Sequence, residues 1–145
     1  TAPADECGAS SRAMIEAYTE AGLKPEDITY INAHGTSTHL NDMLETKAVK
    51  IALGEEQARK VKINSTKSMT GHMLGGTGAV EAVVCALSIR DSFIHQTIGY
   101  TTPDPECDLD YCVDGPVEMP VSAALSNSLG FGGHNATLCF KKCVD

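Results

Sequence analysis

Apolar positions along the 145-residue chain switch between helical and extended spacing. Met14, Ile15, Ala17, Tyr18 and Ala21 recur at helical intervals and predict a first helix from a Ser10 or Ser11 cap to about Ala21. Gly22 supplies its stop, and Pro25 in the turn LKPED bars continuation. The run ITYINA then reads as a strand ending at His34-Gly35. Asn41 or Asp42 can cap a second helix through Met43, Leu44, Ala48, Val49, Ile51, Ala52 and Leu53, with Gly54 ending it. VKINS is a short strand. Residues 91–120 carry Pro103, Pro105, Pro116 and Pro120 and predict an irregular surface excursion, with QTIGY as a strand inside it. Residues 122–129 and 136–140 form two apolar strands joined hairpin-fashion by GFGGHN. The alternation predicts an α/β sandwich.

The stretch NSTKSMTGHMLGGTGAVEAVVCALSIR, residues 64–90, organises this pattern. Its first part is polar and presents Lys67 and His72. From Met73 onward the residues are small or aliphatic on every side, which predicts a central helix buried all round. Gly75, Gly76 and Gly78 cost such a helix roughly 0.5–1 kcal/mol each relative to Ala, so a close backbone contact is expected there. Glu81 lies inside the run, and a buried carboxylate needs a partner.

Composition adds exclusions. The length suits one domain, residues 1–145, able to bury roughly 68–70% of its unfolded surface. A net charge of -8 argues against nucleic acid or an anionic membrane surface as the main partner. No apolar run reaches the roughly 20 residues of a membrane span, and no signal peptide is evident. The opening TAPADECGASS, without Met, reads as an internal cut. The six cysteines form no CxxC pair and no zinc spacing, so no metal is expected. They read as reduced structural thiols of a cytoplasmic protein, none in a nucleophile-like setting.

Three strand-end loops carry the chemistry: HGTST at 34–38, KSMTGH at 67–72 and GFGGHN at 130–135. Strand ends are where α/β sheets place their sites. Singly, each has a plainer reading: a structural His, a solvated Lys, a tight Gly turn. Their joint occurrence favours a site.

Together with GAVE at 78–81, these motifs resemble, in order and over nearly the whole chain, the C-terminal half of an elongating β-ketoacyl-acyl carrier protein synthase, the type II fatty-acid condensing enzyme of bacteria. The resemblance implies one half of the five-layered thiolase-like α/β fold, a mixed sheet with helices on both faces, in a homodimeric enzyme. It implies that His34 and His72 hydrogen-bond the thioester carbonyl of malonyl-carrier protein and stabilise the enolate left by decarboxylation. It places an orienting lysine at Lys67 and a buried acid beside it at Glu81. Thr36 and Thr38 match the hydroxyls that hold the phosphopantetheine arm. Phe131 matches a gating phenylalanine whose backbone N–H serves the oxyanion hole. In some relatives Asn32, Glu81, Ser126 and Asn127 surround a monovalent cation; a buried network without an ion is the alternative. No resident cofactor is implied, because phosphopantetheine arrives on the acyl carrier protein.

The family's nucleophilic cysteine belongs to the N-terminal half, and no cysteine here matches it. The chain alone is therefore expected to be inactive, to need that N-terminal half as a partner, and to expose the surface that packs on it. His39 replaces the usual Pro, and GGTG at 75–78 the usual GAAG. His95 and His134 read as structural. The acidic balance leaves a basic carrier-docking surface to the other half. A polyketide ketosynthase half shares this chemistry, although Ser37 favours the fatty-acid type. A non-catalytic chain-length partner subunit would lack the nucleophile too, but retention of His34, Lys67 and His72 argues against it. A plain thiolase would carry a Cys-Gly pair where GFGGHN stands.

Overall fold

The computed structural model describes residues 3–130 and 133–144. Helix α1 (Pro3–Glu20) is followed by strand β1 (Tyr30–Asn32), helices α2 (His39–Leu53) and α3 (Glu55–Lys60), and strand β2 (Lys62–Asn64). Helix α4 (Lys67–Thr70) and a 3-10 turn (Leu74–Gly76) lead into helix α5 (Thr77–Asp91). Strands β3 (Phe93–Ile94), β4 (Val117–Glu118), β5 (Ala123–Gly130) and β6 (His134–Lys141) complete the chain.

The main sheet has the order β2-β1-β5-β6. β1 runs parallel to both β2 and β5, while β5 and β6 pair antiparallel from Ala123↔Lys141 to Gly130↔His134. Strand alternation sorts the core into two faces. Ile31, Ile63 and Leu125 pack with Met14 and Tyr18 of α1 and Ala48 and Val49 of α2. Tyr30 and Ala124 pack on the opposite face with Cys85 of α5. Helices therefore cover both faces, and the parallel strands deliver three loops to one end of the sheet. Among the described residues, no helix is long and apolar enough to cross a membrane.

Several expectations need correction. α1 begins with Pro3 in its first turn, a position where a missing N–H costs nothing, so Ser10 and Ser11 lie inside the helix. α2 is preceded by Thr38 as its N-cap residue, ahead of Asn41 and Asp42. α3 follows Gly54 directly; its Glu55–Arg59 and Glu56–Lys60 pairs, four residues apart, support a short helix with a single buried residue, Ala58. QTIGY is not a strand: the ladder of this region is β3–β4, and residues 91–120 bury Ile94 and Cys112 instead of only skirting the surface.

The largest correction concerns α5. Its buried positions are Thr77, Glu81, Cys85 and Ser88, a stripe at helical spacing, whereas Val83 is 57% exposed and Val80 and Leu87 are also exposed. The apolar pattern runs round the helix, but this chain covers only one side of it. The glycines make no close contact either. A Cβ on Gly75 or Gly76 would meet open space, and on Gly78 only Ser128 Oγ at 3.6 Å. Lys67 and His72 both precede α5 rather than sitting on its first turn.

Candidate active site

The loop after β1 is held by a buried acid that the sequence reading passed over. Glu45, on α2, accepts the backbone N–H of His34 at 2.7 Å and of Gly35 at 2.9 Å. Burial pushes its carboxyl pKa up, and these two donors oppose the shift. The only signal in the sequence was an acid beside Leu44 and one turn before Ala48 and Val49, on the face that α2 buries. Gly35 has φ +46°, and a Cβ there would lie 2.7 Å from Ser65 Oγ. Ser65 uses that approach to donate its hydroxyl to the Gly35 carbonyl at 2.7 Å, joining the His34 turn to the Lys67 turn.

His34 and His72 meet edge to face, with ring centroids 5.6 Å apart and planes at 86°. His34 is buried, and its Nδ1 has no hydrogen-bond partner among the described residues. Desolvation first, then the charge of Lys67 and the proximity of His72, pull its pKa down to about 4. It is therefore a neutral imidazole near pH 7. The His72 tautomer follows from its partners. The Leu74 N–H can only donate, and it does so to His72 Nδ1 at 3.0 Å, where the Thr77 hydroxyl also lies at 3.2 Å. A neutral His72 thus carries its proton on Nε2 as a donor.

Lys67 is not the solvated cation that its isolated residue type suggests. Its ammonium sits 2.6 Å from Glu81 Oε1, with side chains only 5% and 1% exposed. Burial raises the Glu81 pKa while Lys67 works against it. Among the described residues, Glu81 Oε2 is left without a hydrogen-bond partner, as is Asn32 Oδ1.

Thr36 and Thr38 place their hydroxyls 3.1 Å apart on the exposed side of the same turn. A cleft of about 690 Å³ runs past Thr36, Ser65, Lys67 and His72 towards Thr97 and Tyr100. A second, of about 830 Å³, is lined by His34, Thr36, Thr38, His72, Leu74 and Ser128. His72 and Thr36 belong to both. Asn32 and Ser126 are register partners on the α5 face of the sheet, and Ser126 bonds the buried Cys85 thiol, whose pKa is pushed up to about 12. The Asn127 side chain turns to the opposite face, where it donates to Glu45 at 3.4 Å and accepts from Thr137 at 2.9 Å. Phe131 lies outside the described residues.

Comparison with known proteins decides the family. Residues 1–101 match the model of the β-ketoacyl synthase C-terminal domain. The chain belongs to the β-ketoacyl synthase family. Within this family, it is 55% identical over 142 residues to the 3-oxoacyl-(acyl-carrier-protein) synthase 2 of Staphylococcus aureus (strain COL), covering 98% of the chain and 34% of that protein. This β-ketoacyl synthase domain thus spans about a third of the length of the curated relatives it matches. Among solved structures, it resembles a β-ketoacyl synthase from Burkholderia phymatum STM815, with TM-score 0.88 and 34% identity over 95% of the chain and 33% of the other. It also resembles a type II polyketide ketosynthase solved with its acyl-carrier protein, with TM-score 0.84 and 40% identity over 93% of the chain and 34% of the other. The fold is thiolase-like, and the family resemblance drawn from the loop motifs holds.

Proposed function

We propose that the intact protein containing this chain is a 3-oxoacyl-acyl carrier protein synthase of fatty-acid synthesis, working in the cytoplasm as a homodimer. The observation that carries the reading is the facing pair His34 and His72 at one cleft, with His34 held neutral by burial, backed by the buried Lys67–Glu81 pair. In the reaction, a thiolate cysteine of the N-terminal half first takes the acyl group from its carrier thioester. Malonyl-carrier protein then enters with its pantetheine arm along Thr36 and Thr38. The bond between Cα and the carboxylate breaks, CO2 leaves, and the electron pair becomes an enolate. Ring N–H groups of His34 and His72 donate to its oxygen; preorganised donors of this kind contribute about 10²–10³ each in rate. The enolate carbon attacks the acyl thioester, a C–C bond forms and the cysteine thiolate is released. Lys67 keeps positive charge beside His34, which holds that imidazole neutral and ready to donate.

Two supports come from outside the site. None of the resolved thiol shifts produces an activated thiolate: burial raises Cys85, Cys107, Cys112 and Cys139 alike. The nucleophile is assigned to the N-terminal half, for which the exposed Val80, Val83 and Leu87 of α5 offer an apolar face to pack on. A monovalent cation beside Glu81 belongs to the proposal as well. Asn32 Oδ1 and Glu81 Oε2, both buried and without a hydrogen-bond partner among the described residues, are hard oxygens of the kind such an ion takes, and Asn32 is the register partner of Ser126. A polyketide ketosynthase would use the same chemistry; 55% identity to a fatty-acid enzyme against 40% to a polyketide one favours the former. Incubating the intact enzyme with acyl- and malonyl-carrier proteins should release CO2 and form the 3-oxoacyl product, while the chain alone should form none. Absence of product from the intact enzyme would refute the reading.

A further inference from the structure

His95 reads as structural from the sequence, yet it closes a partly buried ring of hydrogen bonds directly behind the turn that carries Lys67. Its Nδ1 lies 2.7 Å from the Gln96 carbonyl, which can only accept, so the ring proton is on Nδ1. Nε2 must then accept, and the partner at 2.8 Å is the Thr66 hydroxyl. Thr66 Oγ1 in turn accepts from Asn32 Nδ2 at 2.6 Å. The other Asn32 amide proton goes to Tyr30 Oη at 3.1 Å, and the Tyr30 hydroxyl donates to Asn64 Oδ1 at 2.7 Å. Asn64 Nδ2 donates to the His95 carbonyl at 2.8 Å and returns the chain to its start. Every direction in this circuit is fixed, each hydroxyl giving one bond and taking one. Both Asn32 amide protons are spent within the circuit.

The same segment grips the Lys67 turn at two further points. The Ser65 N–H donates to Thr97 Oγ1 at 3.1 Å, and the Ile98 N–H to Ser68 Oγ at 3.0 Å. Residues 95–98 therefore form a strap across residues 64–68, in which the His95 ring bonds Thr66, immediately before Lys67. We propose that His95 is a positioning residue: its neutral imidazole, as acceptor for Thr66, fixes the turn that presents Lys67 to Glu81 and to His34. Burial lowers its pKa and so keeps the acceptor form available. The inference deepens the functional reading above and rests on it.

The test uses the intact enzyme. Selective ¹⁵N-histidine labelling should show His95 as the Nδ1–H tautomer at neutral pH, the less common form for a free imidazole. An Nε2–H signal would overturn the circuit without any variant being made. His95→Leu should lower kcat for malonyl-carrier decarboxylation about tenfold, the factor carried by one lost buried hydrogen bond. KM should be unchanged. His95→Gln, whose amide oxygen reaches the position of Nε2, should restore most of the rate. Equal kcat in all three enzymes, or equal loss in Leu and Gln, would overturn the proposal. Should His95→Leu not fold, Thr66→Ser against Thr66→Val asks the same question, with the hydroxyl-bearing variant expected to be active and equal rates overturning it. A wild-type enzyme without decarboxylation would instead refute the function and this inference with it, whereas an active wild type with an unaffected His95→Leu refutes this inference alone.

Discussion

Replacing Glu81 by Leu should damage stability far more than replacing Lys67 and Glu81 together. The pair is nearly dry, at 5% and 1% side-chain exposure, with one contact of 2.6 Å. At an effective dielectric of about 20, two unit charges roughly 3 Å apart attract by about 5 kcal/mol. Most of that offsets the desolvation of the two ions, so the intact pair contributes little net stability. Removing only the carboxylate leaves the Lys67 ammonium buried beside apolar side chains, at a cost of about 3–5 kcal/mol. The double variant Lys67→Met, Glu81→Leu removes both desolvation penalties and should return to within about 1 kcal/mol of wild type. It should nevertheless have lost its decarboxylation rate, because the charge beside His34 is gone. Pulse proteolysis of the intact enzyme in urea reads the stabilities, and CO2 release reads the rate. A Glu81→Leu enzyme within about 1 kcal/mol of wild type would refute the idea that Lys67 is held buried and charged. A double variant as unstable as the single would show that packing, not charge, is what the pair supplies.

Further consequences follow from the same geometry. Because the folded pKa of His34 is about 4 while an unfolded His titrates near 6.5, its contribution to stability is complete above roughly pH 6.5 and is lost as pH falls towards 4. An NMR titration of His34 should give its midpoint near 4, and a midpoint near 6.5 would contradict the burial argument. Gly35→Ala forces a Cβ to 2.7 Å from Ser65 Oγ at φ +46° and should cost roughly 1–3 kcal/mol; a thermal midpoint equal to wild type would show that the turn can relax. Val83→Lys on the exposed α5 face should raise the solubility of the isolated chain and weaken its association with the N-terminal half. Unchanged co-purification of the two halves would mean that another surface joins them.

The site was legible to the extent that its chemistry is local. HGTST and KSMTGH put His34, Lys67 and His72 on the page because rare residue types cluster at strand ends, and the sheet brings those ends together; GAVE adds Glu81 as an acid inside an apolar helical run. What the sequence concealed depends on long-range geometry. Glu45 looked like one more polar residue of a helix, and only its position on the buried face could have marked it. His95 sits in a proline-rich region with no periodicity, so nothing local ties it to Thr66, 29 residues earlier. α5 misled in the opposite direction: its pattern is apolar all round, and a pattern reports what a helix can bury, not what this chain supplies to bury it. α3 was missed because its six residues, with one buried position, give no readable period.

The central claim is that His34 and His72 stabilise the enolate of decarboxylation, and one measurement addresses it directly. Malonyl-carrier decarboxylation by the intact His72→Ala enzyme should be set beside acylation of its cysteine. Decarboxylation is predicted to fall about 10²–10³-fold while acylation stays close to wild type. Decarboxylation at the wild-type rate in that variant would remove His72 from the mechanism and contradict the account.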